Sequence, residues 1–196
     1  MAKQNKGYQT GAVRIIAGRW RGRKLTVPNV SGLRPTPDRV RETVFNWLQP
    51  LIGDTHCLDL FSGSGVLGFE AASRGAKQVD MVELDTKVAM QLQDNCQLLN
   101  AENCHIIQNT AQQFLMNNSM KYDVVFIDPP YQADLWAKIA QLLVDSGCLV
   151  GNAHIYLEYP SKIDLPVLPK HWNLKKDKKA GDVRYCLFIN EVGEAE

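Results

Sequence analysis

Leu58-Asp-Leu-Phe-Ser-Gly-Ser-Gly-Val-Leu-Gly-Phe-Glu70 is the stretch that decides the fold. It begins inside a short apolar run, Thr55–Leu60, that has strand character. Gly63, Gly65 and Gly68 follow, and a helix is predicted over roughly 65–74. Glycines here permit a tight turn and let backbone approach a ligand closely. The start of the helix adds free N–H groups. Gly63-x-Gly65-x-x-Gly68 also matches the dinucleotide-binding fingerprint, so the stretch alone leaves the ligand open.

Outward from it the chain alternates strand and helix. Strand Gln78–Glu83 precedes a helix over 86–99, and strand His105–Gln108 precedes one near 110–117. Strand Tyr122–Ile127 precedes a loop and a helix near 133–145; strand Ala153–Glu158 follows. Two late strands, near 172–176 and 183–190, suit an antiparallel ending. Strands separated by helices of this length predict an α/β, Rossmann-like fold with a mostly parallel seven-stranded sheet and helices on both faces. In such sheets ligands sit beyond the carboxyl ends of the strands. Loops beginning near Asp59, Glu83, Asn109 and Asp128 therefore converge on one site.

Residues 1–50 differ in character. Val13–Ala17 and Arg23–Val27 suit a small hairpin around the Arg-rich turn Gly18-Arg-Trp-Arg-Gly22. Residues 1–11 are polar and expected to be disordered. Thr36 before Pro37 predicts an N-cap and first helical position, for a helix running to Leu48. These fifty residues carry a net +8, and the remaining 146 a net −7. The expected organisation is a basic, RNA-binding extension over 1–50 and a catalytic domain over 51–196. A second basic run, Lys175-Lys-Asp-Lys-Lys179, is equally consistent with a solvated loop.

Composition excludes several classes. No apolar run approaches the roughly 20 residues that span a bilayer, and no signal-like core follows the polar start; a cytoplasmic protein is expected. The five cysteines form no Cys-x-x-Cys pair and no ligand-spaced cluster with histidine, so neither metal nor disulfide framework is expected. A monomer is the expected state.

The chemistry comes from acids at strand ends. Asp59 stands just before the glycines, where it would repel a pyrophosphate and favour an ammonium or sulfonium. S-adenosylmethionine carries both cations and no phosphate. Glu83, twenty residues after Gly63, can accept from both ribose hydroxyls of an adenosyl group. Asp128-Pro-Pro-Tyr131 delivers an acid, two stiffening prolines and an aromatic to the same rim. An exocyclic base amine is a poor nucleophile because its lone pair is delocalised into the ring. The Asp128 carboxylate and Pro129 carbonyl can hold its two hydrogens and favour the pyramidal, nucleophilic form. Tyr131 can stack on the base.

Asp59-x-Phe61-x-Gly63-x-Gly65 with Asp128-Pro-Pro-Tyr131 resembles the Rossmann-like amino methyltransferases of nucleic acids. Arg14 to Leu25, Leu33 to Leu48 and Ala180-Gly-Asp-Val-Arg-Tyr185 narrow the resemblance to the RsmD family, over nearly the whole chain. That family comprises bacterial 16S ribosomal RNA guanine-N2 methyltransferases acting on guanine 966. The resemblance implies S-adenosylmethionine as cofactor, held by Asp59, Phe61, Gly63, Gly65, Glu83, Asn109 and Asp128. Asn109 stands where relatives often have an acid and would accept through its side-chain oxygen. The target guanine falls to Asp128, Pro129 and Tyr131, in 16S rRNA within the small subunit or an assembly intermediate.

Arg19, Trp20, Arg21, Arg23 and Lys24, with Arg34 and Arg39, suit RNA binding by phosphate contact and stacking. Two enzymatic alternatives remain at this level. An NAD-dependent oxidoreductase would use the glycines but has no role for Asp59 or Asp128-Pro-Pro-Tyr131. An adenine-N6 methyltransferase would use the same Pro-Pro-Tyr loop. A non-catalytic RNA-binding protein would keep the basic arm but need neither acid.

Overall fold

The computed structural model describes residues 11–28, 30 and 36–191. The expectation for residues 1–10 and the Arg34 assignment lie outside them. The chain opens with an antiparallel hairpin, β1 (Gly11–Arg14) and β2 (Lys24–Val27), then helix α1 (Asp38–Leu48). The central sheet follows: β3 (His56–Asp59), α2 (Val66–Ser73), β4 (Gln78–Glu83), α3 (Thr86–Leu99), β5 (Cys104–Gln108) and α4 (Ala111–Asn117). β6 (Tyr122–Ile127), a 3₁₀ turn (Tyr131–Ala133), α5 (Trp136–Asp145), β7 (Leu149–Pro160), β8 (Trp172–Ala180) and β9 (Val183–Asn190) complete it.

The seven sheet strands lie in the order β5-β4-β3-β6-β7-β9-β8. β3 to β7 pair in parallel, whereas β9 runs antiparallel to both β7 and β8. This is the mostly parallel, doubly covered sheet of a Rossmann-like class I methyltransferase fold. The order reverses between β3 and β6, so the residues ending those strands, Asp59 and Asp128, flank the crevice of the switch point. Two apolar cores cover the two sheet faces, one around Phe45, Phe69, Met81 and Phe126, the other around Trp136, Ile139, Ile155 and Leu157. Among the described residues no helix is long and apolar enough to cross a membrane.

Three boundaries depart from expectation. Pro37, not Thr36, occupies the N-cap of α1; its ψ of 145° keeps it out of the helix, and no side chain caps the free amides. The acid Asp38 supplies the favourable charge in the first turn instead. β8 continues through the lysines to Ala180, because an edge strand can turn a charged run into solvent. β7 is longer than 153–158, with a register shift against β6 between Tyr122 and Val124.

The N-terminal segment shares a core with the sheet. Ile15, Trp20 and Leu25 are buried with Val44, Phe45 and Phe69. Its attachment centres on Glu70 of α2, which is fully buried. The carboxylate accepts from the Ile16 N–H at 2.8 Å and the Ala17 N–H at 3.0 Å. Arg74 donates to it at 2.8 Å, and the buried Arg41 guanidinium lies 3.6 Å away. Arg41 in turn donates to the Arg14 carbonyl at 3.0 Å and to Asp38 at 2.6 Å. Arg41 is thus a buried bridge joining the hairpin, α1 and α2. Glu70→Ala leaves two backbone amides and a buried guanidinium short of their acceptor. It should destabilise the fold by about 3–5 kcal/mol, read as a lower urea midpoint; an unchanged midpoint would refute this account of the anchor.

Candidate active site

Asp59 ends β3 with its side chain 2% exposed. One carboxylate oxygen accepts the Gly68 N–H at 3.2 Å. A further backbone bond comes from Phe61. The carboxylate thus braces both ends of the glycine turn. Gly65 sits at φ 77° directly before α2, and a Cβ there would lie 2.5 Å from Leu92 and 2.7 Å from Phe69. Only glycine meets both demands at once. Burial pushes the Asp59 carboxyl from its ordinary 3.8 up to about 7, helped by the charge of Glu83.

Glu83 ends β4. Its two oxygens accept the Gly63 N–H at 2.9 Å and the Asp85 N–H at 2.8 Å. Asn109, just after β5, donates its N–H to the Glu83 carbonyl at 3.1 Å. Its side-chain oxygen accepts the Thr110 N–H at 2.8 Å. Asp59, Phe61, Gly63, Gly65, Glu83 and Asn109 therefore line one continuous rim across β3, β4 and β5. The residues fit an adenosyl cofactor with a cationic end. A buried carboxylate at the turn is held short of full ionisation, and the strand-end acid beside it retains acceptor capacity for hydroxyls. Leu84, 65% exposed next to Glu83, offers an apolar surface for a heteroaromatic ring. Sequence reading passed over Leu84; an apolar residue in the loop directly after Glu83 is the signal that would have found it.

Asp128 follows β6 on the other side of the switch point. Its carboxyl lies well above the ordinary carboxylate range, first through burial, then through the charges of Glu158 and Asp59. Pro129 is buried and Pro130 is exposed at the rim. Tyr131 starts the 3₁₀ turn, with its ring 6.0 Å from that of Trp136. Its hydroxyl donates to Glu158 at 3.3 Å.

Glu158 is an acid at this rim that sequence reasoning missed. It is 5% exposed, near the end of β7. Ile127 pairs with Leu157, so Asp128 and Glu158 come level on neighbouring strands. The Tyr156 hydroxyl donates to its second oxygen at 2.7 Å, and the Trp136 indole N–H to its carbonyl at 2.7 Å. The signal was an acid ending the apolar run Ile155-Tyr-Leu-Glu158. Its partner Asp128, thirty residues earlier, appears only once the register of β6 against β7 is known.

The family model described as "Conserved hypothetical protein 95" matches residues 13–189. A relative named ribosomal RNA small subunit methyltransferase D, from Escherichia coli strain K12, is 46% identical over 188 residues, covering 95% of each chain. One of the same name from Haemophilus influenzae is 49% identical over 185 residues, covering 92% of this chain and 95% of that one. The chain belongs to this family. It is the RsmD family that the motifs resemble. The solved structure of yhhF from Escherichia coli superposes with a TM-score of 0.87 at 44% identity, covering 92% of this chain and 99% of that one.

The basic residues of this RsmD-family chain are placed less simply. Trp20 is 6% exposed, in the core, with the Arg19 guanidinium 4.2 Å over its ring. The expectation of Trp20 as a stacking platform is therefore corrected: apolar burial against α2 takes the ring out of solvent. Arg19 donates to Asn103 at 2.8 Å, and Arg23 to the Leu98 carbonyl at 2.9 Å. Those partners lie where α3 ends and β5 begins, at the amino-terminal edge of the sheet. The Arg-rich turn thus lies across the sheet from the Asp59–Asp128 rim. Arg21, Lys24 and Arg39 are exposed and form no ion pair among the described residues.

Asp59 yields a pH-dependent prediction. An acid whose folded pKa is raised loses folding stability as pH climbs from its unfolded to its folded value. Asp59→Asn removes that cost. Its stability advantage over the parent should grow from about pH 4 to about pH 7 and level off above. Urea unfolding across that range checks this; an advantage independent of pH would show that the carboxyl is not strained by burial.

Proposed function

We propose that the chain transfers a methyl group from S-adenosylmethionine to the exocyclic N2 of a guanine in 16S ribosomal RNA, guanine 966 in the family's terms. The observation that carries this reading is the placement of Asp59 and Asp128-Pro-Pro-Tyr131 on facing sides of one switch point. The names of the close relatives supply the ribosomal substrate. The natural substrate is the small subunit or an assembly intermediate, and the enzyme acts as a cytoplasmic monomer.

The cofactor supplies an electrophilic methyl group on a sulfonium. Asp59 with Gly63 and Gly65 holds its methionine end, Phe61 closes the turn, Glu83 takes the ribose, and Asn109 with Leu84 meets the adenine. Asp128 and the Pro129 carbonyl accept the two hydrogens of the guanine amine and turn its lone pair toward the methyl. Tyr131 stacks on the base, its hydroxyl tied to Glu158. As the N–C bond forms and the sulfonium–methyl bond breaks, the nitrogen becomes acidic and loses one proton to water or a weak acceptor, so Asp128 serves to orient the amine. Burial, then the like charges of Glu158 and Asp59, raises the Asp128 carboxyl above the ordinary carboxylate range, so its capacity to accept the amine hydrogens grows as pH rises. In the extension over 1–50, Arg21, Lys24, Arg39 and Arg34 serve RNA binding. Arg19 and Arg23 contribute while also fastening the turn to the domain.

Methyl transfer from labelled cofactor to naked 16S rRNA and to small subunits, followed by nucleoside analysis, tests the assignment. N2-methylguanosine is the expected product, and N6-methyladenosine would replace this reading. Asp128→Ala should abolish transfer with cofactor affinity retained. Asp128→Asn should be milder than the roughly 10²–10⁴-fold loss of a full general base, because its amide oxygen still accepts one amine hydrogen. Single-turnover rates separate the two, and an Ala variant as fast as the parent removes Asp128 from the chemistry. In Glu158→Gln the repulsion on Asp128 is lost, so the Asp128 carboxyl ionises at lower pH. The rising limb of the pH–rate profile should move to lower pH; an unmoved limb with a uniformly lower rate would mean Glu158 only packs.

A further inference from the structure

The basic run in β8 has no part in the site described so far, and its position follows from three registers. Asp128 comes level with Glu158 on β7. Glu158 pairs with Tyr185 on β9, and Tyr185 pairs with Lys178 on β8. Directly paired residues share a sheet face. Glu158, Tyr185 and Lys178 therefore form one row on one face, with Asp128 at its inner end. Lys178 stands three strands from Asp128, about 14 Å at a spacing of about 4.8 Å per strand. Lys176 pairs with Leu187 and lies on the same face, one step lower.

Helix α1 borders this row. Trp47 stacks on Tyr185, with ring centroids 5.6 Å apart, and the Lys178 ammonium lies 6.0 Å over the Trp47 ring. Arg39 and Thr43 precede Trp47 at successive four-residue steps and lie along the same flank of the helix. Neighbouring charges are already committed. Lys175 pairs with Glu191, and Asp177 with Arg184, so neither acid neutralises Lys176 or Lys178. Arg39, Lys176 and Lys178 form no ion pair among the described residues, and all three are exposed.

We propose that Arg39, Lys176 and Lys178 form the track that grips the backbone of the single-stranded RNA flanking the target nucleotide. This rests on the reading of the Asp128 site as an RNA methylation site, and adds where the neighbouring nucleotides run. A base turned into the Asp59–Asp128 crevice leaves its phosphates at the rim. The row leads from that crevice to the sheet edge, offering cations to a polyanion. The Arg-rich turn lies at the other end of the sheet strands, against Asn103 and Leu98. Edge lysines also block unwanted strand pairing, and the experiment separates that role.

The test uses the full chain carrying Arg39→Gln, Lys176→Gln and Lys178→Gln together. Its KM for 16S rRNA should rise about tenfold, and the slope of log KM against log salt should flatten by about 2, at about 0.7 per lost contact on a single strand. Its kcat at saturating RNA and its affinity for S-adenosylmethionine should match the parent. A companion with Arg39→Lys, Lys176→Arg and Lys178→Arg keeps the charges and should recover the parent KM. An active parent beside a triple variant with unchanged KM and salt slope overturns the track. Association of that variant at parent KM overturns it too, and assigns the lysines to edge protection. A parent that methylates no RNA refutes the underlying reading along with the track, which distinguishes the two failures.

Discussion

The buried carboxylate of Glu70 is the contact on which the joining of the two parts of the molecule depends. It terminates two backbone amides of the N-terminal segment and two guanidinium groups, one from α1 and one from its own helix. A charge with no solvent is stable only where donors surround it, and removing any of them leaves the others overcommitted. Glu70 lies on α2, the helix that the glycine loop opens. The extension is thus fastened to the helix that shapes the proposed cofactor site. Ser73 extends the same attachment, accepting the Trp20 N–H and donating to the Ala17 carbonyl.

At the switch point the electrostatics run the other way. Asp59, Asp128 and Glu158 bring three acids together. Burial holds both Asp59 and Asp128 above the ordinary carboxylate range, with the charge of Glu83 adding to the first and those of Glu158 and Asp59 to the second. Such a cluster costs folding free energy in the free protein. In the proposed reaction a bound cation would relieve the Asp59 side and amine hydrogens the Asp128 side. The strain and the proposed function therefore have one source. The Tyr131 and Tyr156 hydroxyls stabilise the Glu158 end by donating to it.

The basic groups fall into two sets with different work. Arg19, Arg23 and Arg41 are drawn into the fold by carbonyl, amide and carboxylate acceptors. Arg39, Lys176 and Lys178 keep their charge in solvent near the rim. A net charge summed over residues 1–50 cannot separate these sets, because it counts a capping guanidinium and a free one alike.

The sequence by itself determined the alternation of strands and helices, the parallel core of the sheet, the glycine turn and the acids at the strand ends. These are short-range properties: Gly65 must adopt a left-handed φ, and apolar runs such as Val124 to Ile127 must be buried. The nearness of Asp59 to the glycine turn was legible because a strand-turn-helix unit places its own ends together, whereas the Glu83 bond to the Gly63 amide crosses from the neighbouring strand. Only the tertiary structure decided which distant residues meet. Glu70 finds Ile16 fifty-four positions away, Trp20 sinks into the core, and Glu158 comes beside Asp128. Each depends on strand order, register or docking between elements. Those follow from burying the whole apolar surface at once, and no window along the chain contains that information.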